Sequence, residues 1–219
     1  LLAWLEQVQP SFDSKNGLFP SYGFKLLLNE LKDAHPSTGS GQALRSSTLD
    51  LVAKSIETEY AHAMRTIETL VERTGETLAT QIAEREDTLD AFFQGLGDRE
   101  DAPKPQKLVE EINGLMRLAL RPSNDLLKKL TDDPEDAKDD IQEMVASQLT
   151  IISATRIIGA IQNRLGEQVQ WQSPLPSDWD DLSDILLDTT RDAFEKKRER
   201  LNAQIARDVD VLLQREDVS

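Results

Sequence analysis

The sequence predicts an all-α protein: long antiparallel helices, with an extended spine helix, a smaller helical subassembly and no sheet. Three observations carry that expectation. The nine prolines leave three long proline-free stretches, the apolar residues of those stretches recur at steps of three and four, and no alternating run long enough for a strand occurs. The composition agrees, with 38% hydrophobic, 5% aromatic and 30% charged residues, a mixture suited to long solvated helices.

Residues 1–41 make the first segment, of N-terminal helices and a flexible link. Residues 1–9 read as the end of a helix that Pro10 stops, and Asp13, Ser14, Asn16 and Gly17 form a turn before Pro20. Ser21 caps a helix over 21–34 with Phe24, Leu27, Leu28 and Leu31 on one face. His35, Pro36 and Gly39-Ser40-Gly41 supply the link.

Residues 42–94 form the spine. Leu49, Val52, Ile56, Tyr60, Ala63, Ile67 and Leu70 follow one another at helical spacing, and the pattern resumes after Thr74-Gly75 through Leu78, Ile82, Leu89 and Phe92. Unbroken, such a helix extends roughly 75 Å at about 1.5 Å per residue, and Gly75 is the expected place for a bend.

Residues 95–170 are expected to form a helical subdomain. After a glycine- and acid-rich break come a short helix over 106–119, a second from Pro122-Ser123-Asn124 to Leu130, and a long buried one over 134–168. Asp132-Asp133-Pro134-Glu135 starts the long helix with a capping acid, a first-turn proline and negative charge at the positive end of the dipole. Its apolar row is Ile141, Met144, Val145, Leu149, Ile152, Ile157, Ile161 and Leu165, and residues 149–161 are the expected core. Residues 171–219 complete the chain with a loop, a wing-like helix opened by Ser177 or Asp178, and a return helix. These last elements carry Trp179, Leu182, Ile185, Leu186, Phe194, Leu201, Ile205, Val209 and Leu212.

Charge and composition exclude several classes of function. Against 40 acidic residues stand 25 basic ones, a net charge of −15, which repels nucleic acids and anionic membranes unless a local basic patch is set aside. The absence of Cys removes disulfides, thiolate ligands and cysteine nucleophiles, and two histidines are too few for a histidine-rich metal site. No basic n-region or long apolar run suggests a signal peptide or membrane span, and the start at Leu1 reads as a piece of a larger protein.

The motifs are few. Thr38-Gly39-Ser40-Gly41-Gln42 has Gln42 where a phosphate loop needs Lys, and no strand precedes it. Glu59-Tyr60-Ala61-His62 matches one Glu-x-x-His element of a carboxylate-bridged metal pair, but the bundle needs that element twice. The acidic run from Asp132 to Glu143 lacks the central Gly of a calcium loop and reads as a helix start, as does the run Asp178, Asp180, Asp181, Asp184 and Asp188. Arg191, Lys196, Lys197, Arg198 and Arg200 form the one basic concentration, interleaved with Asp192, Glu195 and Glu199. That pattern reads as a solvated face of ion pairs, or as a docking surface for an acidic partner. Expected protein-contact residues are Trp179, Phe194, Lys196, Lys197, Arg198 and Arg200; no catalytic, cofactor or metal residue emerges.

The C-terminal forty residues resemble a known family. Ala193-Phe194-Glu195-Lys196-Lys197, then Leu201, Ile205-Ala206-Arg207-Asp208 and Val211-Leu212-Leu213-Gln214, are similar to the segment of the preprotein translocase ATPase SecA where the helical wing returns to the helical scaffold. Residues 179–187 resemble the short wing helix before it. Two further stretches, Glu84 to Phe93 and Leu118 to Asn124, resemble the expanded helical insertion of Chloroflexi-type SecA proteins. Arg215-Glu216-Asp217 departs from the family, which has Ile-Asp and a downstream Trp there.

The resemblance implies a non-catalytic lever and preprotein-contact surface in an ATP-driven export motor. The implied partners are preprotein and translocation channel, and the implied location is cytoplasmic, peripheral at the inner face of the plasma membrane. ATP and Mg belong to parts of the parent outside these residues. The competing expectations are a stand-alone coiled-coil structural or adaptor protein that binds a protein partner through an exposed apolar edge, and, third, an acid-rich helical metalloenzyme.

Overall fold

A computed structural model describes residues 41–97 and 104–216, with side chains from residue 53 to 207 outside the intervening gap. The helices expected over 1–9 and 21–34, the link before Gly41, and Leu49, Val52, Val209 and Leu212 as packing residues lie outside what is described. The described chain is all-α. Its helices are α1 (Gly41–Leu96), α2 (Pro105–Met116), α3 (Asn124–Asp132), α4 (Pro134–Leu165) and α5 (Trp179–Glu216).

Helix α1 runs 56 residues and passes through Gly75 without a break. Its buried stripe has a period of eleven. Ile56, Ile67, Leu78 and Leu89 stand eleven residues apart and are 1%, 3%, 2% and 0% exposed. Tyr60, Val71, Ile82 and Phe93 form a second column of the same spacing, each buried or half-buried. Eleven residues in three turns is about 3.67 per turn, near enough to the natural helix that the apolar stripe keeps to one side without the left-handed supercoil of a heptad. The sequence repeats accordingly: Ser55-Ile56-Glu57-Thr58, Thr66-Ile67-Glu68-Thr69, Thr77-Leu78-Ala79-Thr80 and Thr88-Leu89-Asp90-Ala91. The threonines fall outside the core stripe. Each donates its hydroxyl to the carbonyl four residues back, as Thr69 does to Arg65 at 2.9 Å and Thr80 to Glu76 at 3.0 Å, which satisfies a polar group inside a helix at some cost in propensity.

Two compact units divide the described residues, and α1, α4 and α5 contribute to both. The first takes the described chain up to Thr69, Ile158–Trp171 and the chain from Ile185 onward. Its buried residues are Ile56, Ala63, Met64 and Ile67 of α1, Ile161 and Leu165 of α4, and Leu186, Thr190 and Phe194 of α5. Here α1 and α5 are antiparallel, since Glu57 meets Arg198 while Tyr60, further along α1, meets Arg191, earlier on α5.

The second unit comprises Leu70–Ile157 and Gln172–Asp184. Leu78, Leu89 and Phe93 of α1 pack with Leu108, Ile112 and Met116 of α2, Leu126 and Leu130 of α3, and Ile141 and Val145 of α4. Polar ties edge this core: Lys138 bridges Asp90 at 3.3 Å and Glu135 at 3.1 Å, and Lys129 bridges Asp140 at 2.7 Å.

Helix ends differ from the sequence expectation for local reasons. α2 stops at Met116 rather than 119, because Arg117 turns left-handed at φ 54° and the amide of Asn113 binds both backbone groups of Leu120, at 2.9 and 3.2 Å. α3 is capped by Ser123, whose Oγ accepts the Leu126 N–H at 3.2 Å. α4 ends at Leu165 rather than 168, where Gly166 takes φ 69°, a conformation open to glycine at little cost. Asp178 opens α5 by accepting the N–H groups of Asp180 and Asp181 at 2.9 and 3.2 Å.

One core expectation is corrected. Ile152 is 37% exposed and its neighbour Ile151 45%. Buried positions of α4 follow the row Ala137, Ile141, Val145, Leu149, then continue from Thr150 through Ala154, Ile157, Ile161 and Leu165. The step of one residue at 149–150 rotates the buried face by about 100°, and Ile151 and Ile152 fall on the side left open. By length and composition α4 also meets the requirement for a membrane-crossing helix, with an 18-residue window of mean hydropathy 1.5; Ile141, Val145, Ile157 and Ile161 from this helix are buried inside the protein.

Candidate functional site

The expected contact residues fall into three groups. Phe194 and Arg198 meet Tyr60 in the first unit. The Phe194 ring, 0% exposed, stands edge-on to Tyr60 with centroids 5.8 Å apart and planes at 85°, a favoured aromatic geometry. The Arg198 guanidinium lies 5.4 Å from the centre of the Tyr60 ring. It also donates from Nη1 to both carboxylate oxygens of Glu57, at 3.1 and 2.8 Å, and from Nη2 to Glu195. Tyr60 donates its hydroxyl to the Arg191 carbonyl at 3.3 Å. Burial pushes the Tyr60 phenol pKa above its ordinary value; Glu195 and Glu57 add to the rise, and Arg198 and Arg191 oppose it.

Lys197 and Arg200 gather at the end of α4. The Lys197 ammonium donates to the carbonyl of Leu165, a last-turn acceptor left without a helical partner. Burial lowers the Lys197 pKa, Arg200 lowers it further and Glu167 offsets part of the drop. Arg200 binds Glu167 at 2.6 Å. Lys196 is exposed.

Trp179 belongs to the second unit. Half-buried, it packs on the core of that unit, and its indole lies so close to Gly75 that a Cβ there would stand 2.3 Å from Nε1. Glycine at 75 thus serves close approach rather than bending.

These placements change the reading of the basic segment. Phe194 is interior, Lys197 and Arg198 are half-buried and engaged within the protein, and Arg191, Lys196 and Arg200 face solvent, Arg191 and Arg200 while paired with Asp188 and Glu167. Sequence reasoning missed Tyr60, Glu57, Glu167 and Gly75 as their partners. The eleven-residue repeat was the available signal for Tyr60, because it puts that residue in the column of Val71 and Phe93.

Other constellations have local explanations. Glu59 and His62 lie one turn apart on α1, and the further charge acting on Glu59 is Arg164 rather than a second carboxylate. Burial raises the Glu59 pKa, with His62 and Arg164 pulling it down. Among the described residues, no group of three His, Asp or Glu is placed to hold a metal ion. The second unit has a small apolar dimple lined by Val109, Ile112, Leu120, Leu126 and Met144 among others. No ionisable side chain lies on its wall, so it supplies no proton or nucleophile. Comparison with known protein families, curated proteins and solved structures finds no match to this chain.

Proposed function

We propose that this chain is a non-catalytic helical scaffold that carries mechanical coupling and offers surface to a protein partner. The observation behind this reading is α1, one helix of 56 residues whose apolar register persists from Ile56 to Phe93 and which supplies buried residues to both units. A helix committed to two cores resists local unwinding, because any break exposes apolar side chains at about 25 cal/mol per Å². The net charge of −15 directs partner choice toward proteins and away from nucleic acids.

The resemblance to SecA gives the reading a specific form: a lever and preprotein-contact segment of an export ATPase, with ATP and Mg bound elsewhere in the parent. The support for that form is sequence likeness. Phe194, Lys197 and Arg198, which carry part of it, also have sufficient local roles in packing, capping and ion pairing. The other form is a stand-alone adaptor, favoured by the exposed Ile151 and Ile152.

A photo-crosslinker at the exposed Lys196 separates them. The export-motor form expects ATP-dependent crosslinks to secretory chains in transit, and the adaptor form one fixed partner regardless of ATP. Hydrogen exchange tests the shared premise: amides 66–76 should exchange as slowly as those at 60–65 and 77–82. Fast exchange confined to 66–76 would overturn mechanical continuity.

A further inference from the structure

We draw no further inference here: the strongest candidate, the exposed Ile151 and Ile152 pair on the open side of α4 in the second unit, is an unpartnered apolar face, and nothing in the structure shows what covers it.

Discussion

Replacing Gly75 with alanine sets two effects of opposite sign against each other. In an open helix the change stabilises by about 0.8–1.0 kcal/mol, because glycine loses more backbone freedom on folding. At this site the new methyl stands 2.3 Å from Trp179 Nε1 and 3.1 Å from Cδ1 and Cε2. Ordinary contact begins near 3.5 Å, so the ring must retreat by about 1 Å. The indole is rigid and rests on the second unit's core, so the retreat disturbs packing at a cost typical of overfilled sites, about 1–3 kcal/mol. The net expectation for Gly75→Ala is a loss of about 0–2 kcal/mol. With Trp179→Ala already present the obstruction is gone, and Gly75→Ala should then stabilise by about 1 kcal/mol. The assay is a double-mutant cycle from urea denaturation followed by far-ultraviolet circular dichroism, in which the coupling energy should reach about 1–3 kcal/mol. A gain near 1 kcal/mol in both backgrounds, with no coupling, would refute the close approach of Trp179 to α1.

Phe194→Ala should cost about 3–5 kcal/mol in the same denaturation assay, since it empties a fully buried aromatic site, whereas Lys196→Ala should stay within about 0.5 kcal/mol. A cycle over Glu57→Ala and Arg198→Ala should give a coupling of about 1 kcal/mol or less that shrinks with added salt, since both side chains retain solvent contact. Burial raises the Glu59 pKa, so the folded chain holds that proton more tightly than the unfolded one. The resulting stability is full below the ordinary glutamate value of about 4.3 and is lost as pH climbs through the raised value. Glu59→Gln should therefore gain on the parent chain over that rise in pH, and parallel urea midpoints would contradict it. Thr69→Ala and Thr80→Ala should each stabilise by about 0.5 kcal/mol, because both side chains are exposed and alanine is the better helix former.

Helix existence was legible from residue pattern because helical periodicity, caps and breakers act over a few residues. Ser123, Asp178 and Pro134 announce helix starts that the structure contains. The end of α2 was not legible, because it depends on Asn113 reaching Leu120, a contact seven residues away in a segment whose composition still favours helix. The eleven-residue repeat was present in the sequence throughout. Read only as steps of three and four, it gave the apolar face but concealed the regularity that unites Ile56, Ile67, Leu78 and Leu89.

The basic segment of α5 marks the limit of that kind of reading. Five cations interleaved with three acids are compatible with a solvated face or a docking surface, and the choice depends on what lies opposite: Glu57 and Tyr60 on α1 for Arg198, and the end of α4 for Lys197. By itself, then, the sequence determined an acidic, cysteine-free chain of long helices, because those properties follow from composition and short-range periodicity. Only the tertiary structure decided which apolar residues of α4 are interior, that Gly75 receives an indole, and that the cations of α5 are largely used at home, because each is set by a neighbour distant in sequence.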